Sequence, residues 1–230
     1  NNNVRFINYE NASSNGLTDT SRSNIFNYKE SNIALYLNYW RSFNSGVEFQ
    51  AGVRGESFSY KGVEKNQNIE NQYLKLFPSF SLLIPQKDFV YQASYSYRIN
   101  RPTFSDLNPF RFYTNPFIYA EGNPLLMPSF SHNLEISTTI QKSFSIILFG
   151  VITSDPFMQI PRQDDANQTF IYNRLNIDRD NTFGLSFYYN KDITKFWSIA
   201  TSNSIFNHSI NTKLYSTSLT KQLTSYQIQL

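Results

Sequence analysis

The sequence predicts an all-β fold, an antiparallel meander of about nine or ten long strands that forms part of a transmembrane β-barrel. Three observations predict it. Apolar and polar residues alternate with period two over much of the chain. The cleanest alternating segments run to 11 and 12 residues, whereas soluble strands are mostly about 5–6 residues long and a tilted membrane-crossing strand needs about 9–11. Short and long connections also alternate, the pattern of a meander with tight turns at one end and long loops at the other.

The segments follow in order. Residues 4–9 make a tenth strand if they pair, and residues 25–39 are β-like with a noisier pattern. In residues 47–55, Val47, Phe49, Ala51 and Val53 alternate with Glu48, Gln50, Gly52 and Arg54. In residues 74–84, Leu74, Leu76, Phe80, Leu82 and Ile84 oppose Lys75, Ser79 and Ser81. Residues 89–100 are the clearest: Phe89, Tyr91, Ala93, Tyr95, Tyr97 and Ile99 on one side, Val90, Gln92, Ser94, Ser96, Arg98 and Asn100 on the other. Residues 134–140 and 183–189 alternate similarly, and residues 143–153, 169–176 and 197–206 are β-like. Short turns are expected at residues 44–46, 85–88, 141–143 and 190–192. Long loops are expected at residues 11–23, 61–72, 102–127, 161–168 and 211–220.

Composition narrows the classes. Aromatic residues make up 17% of the chain, which excludes a disordered polypeptide. The longest near-apolar stretch is residues 146–152, too short for a membrane helix. Cysteine is absent, so neither a disulfide framework nor a thiolate metal site is available. The 27 Asn and 28 Ser disfavour a long helical bundle and suit a wet interior and solvated loops. A mean hydropathy of −0.44 fits a barrel in which only every second residue meets lipid. The net charge of +3 comes from 20 basic and 17 acidic residues spread without a block, so no nucleic-acid stripe is present. His132 and His208 lie far apart with no metal-ligand spacing, and no nucleophile elbow occurs. No catalytic, cofactor or metal site is expected.

The densest punctuation lies in the long connection after residue 100. It contains Arg98-Ile99-Asn100-Arg101-Pro102, then Leu107-Asn108-Pro109-Phe110, then Gly122-Asn123-Pro124-Leu125-Leu126-Met127-Pro128. Asn-Pro steps at Asn108, Asn115 and Asn123 bias the chain into turns. An ordered excursion is therefore expected, and a loop this long is usually functional or disordered. Phe110, Phe112, Tyr113, Phe117 and Tyr119 are either a stacking surface at an entrance or part of an aromatic girdle.

These motifs, with Tyr28-Lys29-Glu30, Gly52-Val53-Arg54-Gly55-Glu56 and Leu76-Phe77-Pro78-Ser79 upstream, resemble the outer-membrane β-barrel family related to TonB-dependent receptors. The resemblance covers about residues 26–206, and the third motif departs from it by an early or duplicated Leu. It implies a Gram-negative outer-membrane protein with a 22-stranded barrel, closed by a plug domain and driven by an inner-membrane energy-coupling protein. Residues 1–230 are then expected to be one barrel segment, without plug or signal peptide, of a parent that takes up an unknown small ligand. The C-terminal residues 225–230 lack the aromatic end such barrels carry.

If the apolar sides meet outer-membrane lipid, Glu48, Arg54, Glu56, Lys75, Arg98 and Glu135 face the lumen. Charges of both signs there either hold a plug reversibly or simply wet the interior. Arg54 and Arg98 are the candidates for contact with plug or ligand. A surface-exposed β-rich adhesion or glycan-binding protein is the alternative reading, and it would dissolve in buffer without detergent.

Overall fold

The computed structural model describes residues 2–6, 24–64, 67–214 and 217–229. The strands are β1 (Asn2–Phe6), β2 (Asn24–Ser42), β3 (Glu48–Glu64), β4 (Gln67–Gln86) and β5 (Phe89–Asn100). A single helical turn, α1 (Phe104–Leu107), precedes β6 (Arg111–Asn115) and β7 (Ile118–Glu121). Then come β8 (Ser129–Ile140), β9 (Phe144–Ser154), β10 (Phe157–Asp164), β11 (Thr169–Asn176), β12 (Arg179–Thr194), β13 (Trp197–Leu214) and β14 (Thr217–Gln229).

Ten of these form one open sheet in the order β1-β2-β3-β4-β5-β8-β9-β12-β13-β14. Every neighbouring pair is antiparallel. This is the meander read from the sequence, a partial barrel wall. The other four strands form a small sheet, β10-β11-β7-β6. It is assembled from two separate connections, the one between β5 and β8 and the one between β9 and β12, through a parallel β11–β7 pair. We call this sheet, with α1 and its flanking loops, the cap.

Tight turns close one end of the wall, at residues 43–47, 87–88, 141–143 and 195–196. Gly46 has φ +81° and its α-carbon faces the Pro85 ring, so a side chain there would be strained and crowded. The cap lies at the opposite end.

Several expected boundaries are corrected. Residues 61–72 and 211–220 are not long loops: β3, β4, β13 and β14 run through most of them. The strands outrun the hydrocarbon, and their outward residues there turn polar (Ser57, Ser59, Lys61, Glu70, Gln72), so the pattern reads as loop. Residues 161–168 form a hairpin; Pro161 sits in β10, an edge strand of the cap sheet, where its missing N–H is tolerated. Residues 169–176 are a cap strand rather than a wall strand. The turn expected at residues 190–192 lies inside β12, where Lys191 pairs with Ile199. Strand β14 carries no clear alternating signal because its apolar residues change sides, from Leu219 and Leu223 to Tyr226 and Ile228. The expected loop at residues 11–23 and the end of the 4–9 segment lie outside the described residues.

The two faces of the wall differ. One face of β2–β4 carries Ile33, Leu35, Leu37 and Tyr39, paired across the sheet with Ser57, Gly55, Val53 and Ala51, and beyond them with Leu74, Leu76, Pro78 and Phe80. Leu35 is 78% exposed and Leu74 79%. The row continues through Tyr95, Leu134, Gly150 and Phe183. Leucines this exposed in a continuous sheet face need an apolar solvent, since soluble monomers rarely show such a patch. We call this face outward. The opposite, inward face holds the buried aromatics onto which the cap folds.

Candidate functional site

The site is built from the inward face upward. Phe26 and Tyr28 of β2, with Phe58 and Tyr60 of β3, are buried against Leu107 and Leu126 of the cap, and Ile69, Tyr73, Phe104 and Phe157 pack around them. Phe104 lies 5.7 Å from Phe26 and 5.9 Å from Tyr28, ring centre to ring centre. The connection leaving β5 therefore reaches back across the inward face to β2. Leu126 is fully buried while Leu125 is 71% exposed, so of the doubled Leu in the third motif the second is the anchor.

The motifs that carried the resemblance meet one another in space. The Gly122 N–H donates to the Asn108 carbonyl at 3.0 Å, and the Asn123 N–H donates to the Asp106 carbonyl at 2.7 Å. All three Asn-Pro steps form the same local turn: the side-chain oxygens of Asn108, Asn115 and Asn123 accept from the N–H groups of Phe110, Phe117 and Leu125. Asp106 accepts from the Thr103 backbone N–H and hydroxyl, both at 2.8 Å. Pro109, Pro124 and Pro128 punctuate this path, and Pro102 ends β5 by offering no N–H.

Gly122 is required by packing. A β-carbon on it would lie 2.4 Å from the Asn108 carbonyl oxygen and 2.7 Å from that of Asp106, both rigid backbone atoms. Gly122→Ala is expected to separate the Leu107-Asn108 and Gly122-Asn123 segments. Each buried backbone group left unpaired costs about 1–3 kcal/mol. Hydrogen exchange over residues 104–126 of the variant should rise, while the amides of β2–β4 at the short-turn end stay protected; unchanged exchange in the cap would contradict this.

Two further residues, Arg174 and Asn176 of β11, fasten the cap, and sequence reasoning did not single them out. Arg174 Nε lies 3.1 Å from Asp106 Oδ1, and its carbonyl accepts from the Asn123 side chain at 3.0 Å. Asn176 exchanges hydrogen bonds with the Met127 backbone in both directions, each 2.9 Å, and also donates to the Asp155 carbonyl at 2.7 Å. No sequence signal marks either, because their partners Asp106, Asn123 and Met127 belong to a different connection.

The charged part of the site is centred on Glu56, whose side chain is fully buried. It pairs with Arg101, and Arg54 lies 3.4 Å from its second oxygen. The Tyr73 hydroxyl donates to Glu56 at 3.1 Å and accepts from Arg101 Nε at 2.7 Å. Burial, and next the neighbouring Arg54, pull the Arg101 guanidinium below its ordinary value. Arg101 also stacks over Phe58 at 4.9 Å and Arg54 over Phe77 at 4.7 Å. The strand-ending Arg101-Pro102 step thus plants its arginine on the buried carboxylate of β3.

Below this cluster is a recess of about 380 Å³ lined by Tyr36, Asn38, Arg54, Phe77, Arg98 and Tyr97, among others. The β4–β5 ladder ends at Ser79↔Ser96, next to Pro78. Beyond that point Phe77, Tyr97 and Phe130 stack, with Lys75 Nζ 3.3 Å from the Phe130 ring centre. Register places Glu48, Gln50, Arg54 and Glu56 on one face of β3, with Glu135 in the same row as Gln50. Arg54, Glu56 and Arg101 are brought together; Arg98 borders the recess; Glu48 and Glu135 stand apart from both. Of the five aromatic candidates, Phe110 and Tyr119 are buried in the cap, so only Phe112, Tyr113 and Phe117 are exposed. Among the described residues no cluster of His, Cys, Asp and Glu could hold a metal ion.

An antiparallel wall with long strands, an apolar outward belt and a charged inward face defines a partial outer-membrane β-barrel. A model of the Outer membrane protein beta-barrel family matches residues 1–230, and the chain belongs to that family. No curated protein matches the chain. Among solved structures it is similar to the siderophore receptor PirA from Pseudomonas aeruginosa, at 14% identity and a TM-score of 0.50, covering 90% of this chain and 49% of that one. It is also similar to a mutant of the ferric enterobactin receptor PfeA from Pseudomonas aeruginosa in complex with enterobactin, at 11% identity and a TM-score of 0.48, covering 97% of this chain and 46% of that one. The chain therefore spans about half the length of these receptors, and the likeness is one of fold.

Proposed function

We propose that this chain is part of the barrel wall of an outer-membrane protein that takes up a small nutrient. In this reading the inward recess bordered by Arg54 and Arg98 contacts the ligand or a plug domain of the parent. The plug in turn is moved by an inner-membrane energy-coupling protein. The observation that carries it is the recess itself: Arg54 and Arg98, with Tyr36, Asn38, Phe77 and Ser79, line a cavity on the inward face, beneath a cap fastened to the wall. A wall that only enclosed water would need neither.

The experiment is uptake by cells carrying the full-length parent. Arg98→Glu reverses a charge on an exposed side chain that bonds within its own strand, to Ser96 at 2.9 Å, so assembly is expected to survive. Uptake of the nutrient on which growth depends should fall at least tenfold, with normal surface levels of the protein. Normal uptake in both Arg98→Glu and Arg54→Gln would remove the recess from the transport path. A protein that stays soluble without detergent would favour the adhesion reading.

A further inference from the structure

A second cavity lies on the outward face, where β5, β8, β9 and β12 adjoin. Leu134, Ile136, Leu148, Ile152 and Phe183 wall a trough of about 340 Å³. Its floor is Gly150, which register sets between Leu134 on one neighbouring strand and Phe183 on the other. The missing side chain is what makes the trough: a β-carbon on Gly150 would lie 2.9 Å from the Phe183 ring.

The end nearer the cap is polar. Tyr95 and His132 border it, with the hydroxyl 2.8 Å from His132 Nδ1. With Tyr95 donating, the imidazole proton resides on Nε2, which then offers a donor at the edge of the apolar belt. In the row of His132 the outward residue of β12 is Asn181, and one register step further it is Arg179, with Lys213 following Asn211 on β13. No outward residue of β8, β9, β12 or β13 in or above the belt is acidic. An apolar channel is thus topped first by an imidazole and then by cations.

We propose that this trough seats one acyl chain of an anionic, phosphate-bearing lipid of the outer leaflet. The His132 Nε2–H donates to the ester carbonyl at the head of the chain, and Arg179 meets the phosphate. The tight-turn end of such barrels is periplasmic, so the polar end lies at the outer leaflet. The order of chemistry along the trough matches that of the lipid, from hydrocarbon through carbonyl to phosphate. Arg179 and Lys213 at the rim favour an anionic headgroup over a zwitterionic one, and an aromatic knob from a second copy would leave those cations without a partner. The inference rests on the membrane setting of the wall and is independent of any transport role.

The test uses the full-length parent in nanodiscs containing equal amounts of phosphatidylglycerol and phosphatidylcholine with identical acyl chains. Lipid retained after gentle release is read by native mass spectrometry. Phosphatidylglycerol should be retained about fivefold over phosphatidylcholine, the effect of one arginine near an anionic headgroup. Arg179→Gln should abolish the preference while leaving a lipid bound. Gly150→Leu should abolish retention by filling the trough; if it fails to assemble, Ile136→Trp fills the trough from its wall. Equal retention of the two lipids by the unaltered protein would overturn the proposal, as would undiminished retention in the filled variants. Dimers that the filled variants dissolve would assign the trough to a second copy instead.

Discussion

Arginine introduced at Leu37 or Leu148 will cost about 2–4 kcal/mol of folding free energy per substitution when the protein is folded into bilayers. Both are exposed leucines, 71% and 56% accessible. In a water-soluble protein a substitution at such a position would usually fall within about 0.5 kcal/mol of neutral. The large expected effect comes entirely from what lies outside the wall. Leu37 is central in the outward row Ile33, Leu35, Leu37, Tyr39, and Leu148 is central in Phe144, Ile146, Leu148, Gly150, Ile152. A charge there is held at mid-bilayer, where it can neither pair nor reach the interface without distorting its surroundings. Ser94→Arg, one of the inward residues, is the matched control. Register places Ser94 directly beside Glu135, so the new charge gains a cross-strand partner and stays wet. Denaturant titration of the three variants in liposomes should show two strongly shifted curves and one near the unaltered protein. Three equal curves would mean that the outward face does not meet hydrocarbon.

The second large effect is expected at the cap latch. Arg101→Ala strands the fully buried Glu56 carboxylate with Arg54 at 3.4 Å and the Tyr73 hydroxyl. Removing one partner of a buried ion pair costs about 3–5 kcal/mol. Arg101 is 26% exposed, so water screens part of the interaction and the lower end of that range applies. Glu56→Gln should cost less, because the two arginines it leaves are each about a quarter exposed and can turn to solvent. The double variant Glu56→Gln/Arg101→Gln should be more stable than Arg101→Ala, since no buried charge remains; the two sites are in contact, so their effects will not add. Hydrogen exchange resolves the consequence locally. In Arg101→Ala, residues 101–128 should open while the belt residues of β2–β5 keep their protection. If the cap stays closed, the apolar contacts of Leu107, Leu126 and Phe104 and the bonds of Arg174 and Asn176 hold it, and the ion pair adds little.

The wall was legible in the sequence because each strand solves the same problem: one side meets an apolar solvent and the other does not. Residues 89–100 show this most plainly, and β5 has those same ends. Where the solvent changes, the signal fails. Above the belt, Phe58 and Tyr60 point inward to the cap while Ser57, Ser59 and Lys61 point outward to water, which inverts the pattern that marks a membrane strand. The alternation therefore stops short of the true ends of these strands. The cap was half legible. Its Asn-Pro turns are local chemistry, and all three form. Its fastening to β11 through Arg174 and Asn176 depends on two connections far apart in the chain, and no local pattern encodes that. The same holds for Arg101 and Glu56: each is a separate motif residue, and only the crossing of the inward face by the connection after β5 makes them partners.

The outward side chains touch hydrocarbon and the inward ones do not. The accessibility of nitroxide labels on the protein in liposomes measures this most directly. Labels at Leu35, Leu76 and Leu148 should collide with dissolved oxygen and be shielded from a water-soluble nickel chelate. Labels at Asn38, Ser79 and Ser94 should show the reverse. The same preference on both faces, whether wet or dry, would show that the wall does not separate hydrocarbon from a wet interior.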